Sequence, residues 1–164
     1  MIVEAKRWVE QLGLNAHPEG GYYKEIIKDE SRPSERPAYT SIYFLLTQSN
    51  ISHFHRIDSD EIWYYHAGDS LTVHMIHPDG KYEKVTIGPN IDQGDVLQYV
   101  VPKGTIFGSN IEDGDYALVG CMCQPGFDFN QFELFSKETL NDQYPHLKEV
   151  NDIMALDAQD LEEA

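Results

Sequence analysis

Two histidines two residues apart, His53 and His55, precede a glutamate, Glu61, within the run Ser52 to Gly68, SHFHRIDSDEIWYYHAG. On an extended strand residues i and i+2 project to one face, so this spacing predicts both imidazoles side by side. After a polar turn over Arg56 to Asp60 a second strand opens with Glu61. Glu61, Trp63 and Tyr65 then share one face, and Ile62, Tyr64 and His66 share the other. Two imidazoles and a carboxylate converging from neighbouring strands can move protons near neutral pH or ligate a divalent cation. The bland alternative is that one or two of these histidines are hydrogen-bonded core residues.

Acid–base work without a metal also needs a group that returns the proton, and a tyrosine opposite the cluster serves. Tyr43, Tyr65 and Tyr99 are the candidates, with Gln98 and Asn110 as polar orienters. Trp63, Phe107 and Phe129 can stack on a flat or sugar ring, although packing is the ordinary role of each. Asp58 and Asp60 belong to the solvated turn. His66 faces away from Glu61, His74 and His77 lie on a hairpin near solvent, and His146 lies in a terminal helix. His17, in the turn His17-Pro18-Glu19-Gly20-Gly21, borders the mouth if that segment crosses toward a partner. Cys121 and Cys123 sit two apart on one strand face, badly placed to bridge each other, and read as buried thiols. No second cysteine pair exists to complete a structural zinc. There is no Gly-x-Ser-x-Gly elbow, Walker loop or dinucleotide fingerprint.

The elements that must position these residues are mostly strands. Val3 to Leu12 has helical spacing and Gly13 stops it. Tyr22 to Ile27 is extended, and Asp29 to Pro37 is a polar loop. Ala38 to Thr47 is a central strand. Leu71 to His77 and Tyr82 to Ile87 flank a Pro78-Asp79-Gly80-Lys81 turn and form a hairpin. Asp95 to Val101, Ile106 to Ser109, Tyr116 to Met122 and Phe127 to Phe135 complete the set. Ser136 reads as the N-cap of a helix over Lys137 to Gln143, and Pro145 opens a second helical segment reaching Leu156. Eight or more short strands with turn signals between them argue for an all-β sandwich or closed double-sheet barrel.

The chain has 164 residues and formal net charge −16, from 12 basic and 28 acidic side chains. It suits one domain: an N-terminal helix over 1–13, a barrel over 20–135, helical segments over 136–156 and an acidic tail over 157–164. The charge disfavours nucleic acid and anionic membranes as partners. No apolar run reaches the length of a membrane span, and Met1 to Gly13 lacks a signal-peptide core, so a cytoplasmic protein is expected.

With these residues in view the sequence resembles the cupin superfamily. His53-Phe54-His55 and Glu61 to Gly68 match its first motif, and Gly94, Pro102-Lys103-Gly104 and Asn110 match its second. More narrowly, HPEGGYY, TSIYFLL, SHFHRIDSDEIWYYHAGD, VVPKG and VGCMCQPGFDFNQFEL are similar to one small cupin family over residues 12 to 147. The resemblance implies a double-stranded β-helix, or jelly roll, of the rhamnose-epimerase-like kind, and a homodimer. It also marks two departures: Phe107 stands where metal cupins carry a third histidine, and five residues separate His55 from Glu61. Three functions stay open. The first is a metal-independent isomerase or epimerase acting on a small sugar-like or nucleotide-linked metabolite, with His53, His55, Glu61 and Tyr65 as catalytic residues. The second is a lyase or oxygenase whose divalent metal is held by His53, His55 and Glu61. The third is a module that binds a small molecule without turning it over. The cofactor is thus none or a divalent metal.

Overall fold

Alternating β-prone runs, broken at Gly, Pro and Asp turns, become eleven strands in a computed structural model that describes residues 1–164. They are β1 (Asn15–Ala16), β2 (Tyr22–Lys28), β3 (Thr40–Thr47), β4 (Ser52–Arg56), β5 (Asp60–Gly68), β6 (Leu71–Ile76), β7 (Tyr82–Ile87), β8 (Gln98–Val101), β9 (Ile106–Asn110), β10 (Tyr116–Gln124) and β11 (Glu133–Leu134). They form two antiparallel sheets, one of order β1-β2-β3-β10-β5-β8 and one of order β11-β4-β9-β6-β7. The chain passes between the sheets after β3, β4, β5, β7, β8, β9 and β10, the alternation of a jelly roll.

Between the sheets lies a core of 15 buried residues, among them Phe44, Leu46, Trp63, Val73, Met75, Phe107 and Val119. Helix α1 (Val3–Leu12) ends at Gly13, whose φ of 67° closes it in the left-handed region as expected from the sequence. It covers the outside of the six-stranded sheet through Ala5, Trp8 and Val9, which pack with Leu14, Leu45 and Leu118. Helices α2 (Lys137–Gln143) and α3 (Lys148–Met154) cover the outside of the other sheet, where Leu140 and Met154 pack on Phe54, Ile76 and Ile106. The Ser136 hydroxyl accepts the Thr139 N–H, as its N-cap reading requires.

Two expectations need correction. The run Phe127 to Phe135 is not one strand: Phe129–Gln131 is a 3-10 turn and only Glu133–Leu134 pairs, because Asp128 caps the turn by accepting the Asn130 N–H. The acidic tail, given no secondary structure by the sequence, carries a fourth helix, α4 (Ala158–Glu163), whose Leu161 borders a small surface hollow with Pro18, Phe129 and Phe132.

One irregularity decides the site. Strand β4 pairs with β9 at Ser52↔Ser109 and at His55↔Phe107, three residues on one strand against two on the other. The extra residue is a β-bulge, and it breaks the alternation on which the sequence reading of His53 and His55 rested. Gly108 makes room for it: a Cβ there would stand 2.7 Å from the Ser52 carbonyl oxygen and 3.1 Å from the Phe54 nitrogen.

Candidate functional site

A cavity of about 290 Å³ opens beside the core. Its lining is His17, Glu19, Tyr23, Glu25, Thr40, Ile42, His55, Glu61, Cys121, Cys123, Phe127 and Phe129. Strands of both sheets supply polar groups: β4 of the five-stranded sheet brings His55, while β5 and β10 of the six-stranded sheet bring Glu61, Cys121 and Cys123, the cysteines pairing in register with Trp63 and Glu61. The turn that holds His17 and Glu19 supplies two more polar groups.

That turn is built for close approach. Gly20 sits at φ 104°, and a Cβ on it would lie 1.8 Å from the Ile51 carbonyl oxygen, so only glycine fits. Gly20 N–H donates to the His17 carbonyl at 2.9 Å, and Gly21 N–H donates to Asn50 Oδ1 at 2.9 Å. Both the backbone N–H of His53 (2.7 Å) and its Nδ1–H (2.8 Å) reach the carbonyl of Glu19. His53 therefore clamps the turn that carries Glu19, and it is not among the lining residues. The structure does not bring His53, His55 and Glu61 together as sequence spacing suggested; the bulge turns His53 aside.

Backbone partners settle the tautomers of the two lining imidazoles. The Glu19 N–H donates to His17 Nδ1 at 3.1 Å, so in neutral His17 the proton sits on Nε2. His55 Nδ1 lies 2.7 Å from the His53 carbonyl, an acceptor only, so Nδ1 carries the proton and Nε2 keeps its lone pair. The two lining rings thus keep opposite Nε2 roles, a donor on His17 and an acceptor on His55. Glu19 stands between them, with Oε1 3.3 Å from His17 Nδ1 and Oε2 3.3 Å from His55 Nδ1, and its Oε2 also accepts the Ser52 hydroxyl.

Burial governs the charge states. It lowers His17 to about 3, with the neighbouring His55 adding to the effect, and lowers His55, against which Glu61 pulls. It raises Glu19 to about 8, opposed by the Ser52 hydroxyl. It raises Glu61 to about 7, with Glu19 adding to the effect. Cys123 Sγ lies 3.7 Å from Glu61 Oε2, and burial followed by Glu61 pushes both thiols up, so they stay protonated. Near neutrality the site holds two neutral imidazoles, a protonated Glu19 and a Glu61 poised between its forms.

The remaining candidates scatter. Phe129 lines the cavity, and Phe107, 1% exposed, backs it with its ring centroid 4.1 Å from that of His55. Trp63 is core, packed edge-on against Phe44 and Phe107. Tyr43 lies under α1 on the outer side of its sheet, and the Tyr65 hydroxyl donates to the Gly68 carbonyl at 2.7 Å. Tyr99 reaches Glu83 at 3.4 Å, and Gln98 is exposed on edge strand β8. Asn110 faces elsewhere: its Oδ1 meets His74 Nε2 at 2.8 Å, while His74 Nδ1 meets the Tyr82 hydroxyl at 2.6 Å. His74 is thus buried, against the expectation of a solvent-facing hairpin, and borders a separate groove under α3. Sequence reasoning left Glu19, Tyr23, Thr40 and Phe127 out. The signal for Glu19 was an acid two residues after a histidine and directly before Gly-Gly, where the backbone must pack tightly.

The residues do not fit a metal of the usual cupin kind. Phe107, packed on the His55 ring, offers no ligand atom, His53 lies outside the cavity lining, and no three His, Cys, Asp or Glu side chains converge on one point.

Residues 6–135 match the family model described as Cupin superfamily (DUF985). The chain is a cupin of this family. The cupin is 43% identical to protein SO0799 of Shewanella oneidensis, with a TM-score of 0.90 covering 93% of this chain and 98% of that one. A hypothetical protein from Leishmania major is 40% identical at a TM-score of 0.86, covering 93% and 99% of the two chains. The uncharacterized protein YML079W of Saccharomyces cerevisiae is 30% identical over 154 residues, 82% of this chain and 75% of its own. Oxalate decarboxylase from Bacillus subtilis shares 18% identity and a TM-score of 0.58 over 87% of this cupin and 37% of its own length, a likeness of fold alone.

Proposed function

We propose that this cupin is an acid–base enzyme of the isomerase or epimerase kind that acts, without a metal, on a small sugar-like metabolite held in the cavity. The observation that carries this reading is the pair of opposed tautomers, His55 with a free Nε2 and His17 with an Nε2–H, on the walls of one buried pocket. His55 Nε2 takes a proton from a carbon next to a carbonyl. The electron pair of that C–H bond moves onto the carbonyl oxygen, where the His17 Nε2–H is the hydrogen-bond donor for the developing charge. Glu61 stabilises the imidazolium formed on His55. A proton returned to the same carbon from Tyr23, the tyrosine on the cavity wall, completes an epimerisation. Tyr23 therefore takes the role that sequence reasoning gave to Tyr43, Tyr65 or Tyr99.

The nucleotide-linked alternative fits less well, because the lining contains no lysine or arginine to meet a diphosphate. The test is solvent exchange. In deuterated water the protein should wash the α-proton out of one member of a panel of small keto and aldehyde sugars, as followed by proton NMR. His55→Gln should lose that exchange by about a hundredfold or more. A panel member that binds at this cavity yet keeps every carbon-bound proton would reduce the protein to a binding module.

A further inference from the structure

The cavity that holds His55 is lined by three acidic side chains, Glu19, Glu25 and Glu61, of which Glu19 keeps its proton, and by no side chain that is cationic at neutral pH. One end is aromatic. Tyr23, Phe127 and Phe129 stand around the His17 ring at centroid distances of 4.5, 6.3 and 6.0 Å, and the two phenylalanines meet edge to face at 4.7 Å. An anionic ligand entering this space gives up water and finds only acids. A ligand carrying an ammonium group finds a carboxylate to donate to and ring faces that attract positive charge. The net charge of −16 acts in the same sense at long range by concentrating cations near the protein.

We infer that the cavity takes a sugar-sized polyol bearing an ammonium group, an amino sugar in its protonated form. This rests on the reading of the cavity as a sugar-sized acid–base site and narrows its substrate class. The ammonium group belongs beside Glu61, the carboxylate that is poised near neutrality, and the hydroxyls have Thr40, His17 and His55 as partners. A proton-linked signature follows. The groups facing Glu61 are Glu19, His55, Cys121 and Cys123, none of which brings it a permanent positive charge. An ammonium ion placed there favours the ionised form, so binding near pH 7 expels part of a proton to solvent. Affinity accordingly rises with pH through 7 while the amine itself stays protonated.

The experiment is titration calorimetry of the full chain at pH 7 with glucosamine, glucose, N-acetylglucosamine and glucose 6-phosphate, repeated in two buffers of different ionisation enthalpy. Glucosamine should bind at least about tenfold more tightly than glucose or N-acetylglucosamine, with net proton release, and glucose 6-phosphate most weakly. Glu61→Gln should remove the advantage of glucosamine over glucose; the comparison among the four ligands on the wild type needs no variant. Equal affinity for glucose and glucosamine, or preference for the phosphate, overturns the ammonium inference and leaves the sugar-site reading standing. Failure of all four to bind overturns both.

Discussion

His55 and Glu19 show how backbone groups assign chemistry to side chains. A carbonyl beside His55 Nδ1 and an amide beside His17 Nδ1 leave one lone pair and one N–H for the cavity. The same burial has a thermodynamic signature. Glu19 and Glu61 have folded pKa values near 8 and 7, above the ordinary carboxylate value, so the folded state keeps protons that the unfolded state releases. Their contribution to stability is therefore full below about pH 4.5 and falls as pH rises toward 7 and 8. His17, held near 3, works the other way: the unfolded state takes up its proton first, and stability is lost as pH falls from about 6.5 toward 3. Between 4.5 and 6.5 the two effects oppose each other. From 6.5 to 8 the carboxyls act alone, and the unfolding free energy should drop with a slope of up to about 1.4 kcal/mol per pH unit for each group. Urea unfolding of wild type and Glu19→Gln across pH 6.5 to 8 checks this. The variant's profile should be flatter, and parallel profiles would show that Glu19 is ionised in the fold.

At the scale of elements, the bulge in β4 and the Gly-Gly turn after Glu19 cooperate. The bulge lets Ser52 and His55 address the interior while Phe54 packs under α2 and α3. His53, turned aside by the same irregularity, ties the Glu19 turn to β4. Gly108 is the hinge of this arrangement, because a side chain there collides with backbone rather than with a movable side chain. Gly108→Ala should cost about 1–3 kcal/mol in denaturant unfolding and should also weaken ligand binding, since β4 must shift and carry His55 with it. Loss of stability with undiminished binding would separate the bulge from the site. An unchanged midpoint would mean that β4 yields at no cost.

For the whole molecule, the six-stranded sheet begins at the short strand β1 and the longer β2 beside it. Strand β1 shields only the start of β2, pairing Asn15 and Ala16 with Tyr23 and Tyr22. Beyond that the edge of β2 is free, and Ile26 and Ile27 are 41% and 51% exposed. A bulge between Glu25 and Ile27 blunts this edge against indiscriminate pairing. We propose that two copies of the chain pair through these N-terminal strands, which would bury the isoleucines and stand one copy's β2 near the other's cavity mouth. Light scattering at micromolar concentration should return twice 18.8 kDa, and Ile27→Lys should shift it toward the single chain. A mass of one chain for the wild type would sink the pairing. No helix is long and apolar enough to cross a membrane.

Much of the architecture was legible because it is local. Helix α1 and its glycine stop, the β6–β7 hairpin, the Ser136 cap and the succession of strands each follow from periodicity and turn chemistry within a few residues. His55, Glu61 and Phe129, singled out by residue type, do line one cavity. What the chain could not reveal on its own was non-local. Whether β4 alternates depends on its register with β9, about 50 residues away in the chain, and that register moved His53 out of the site. His17 and Glu19 read as turn residues until the fold set their turn against β4, and Asn110 read as a site residue until β9 carried it to the opposite side of its sheet, beside His74. Periodicity states which residues share a face; only the pairing of distant strands decides which faces meet, and the chemistry of this cavity lies in that meeting.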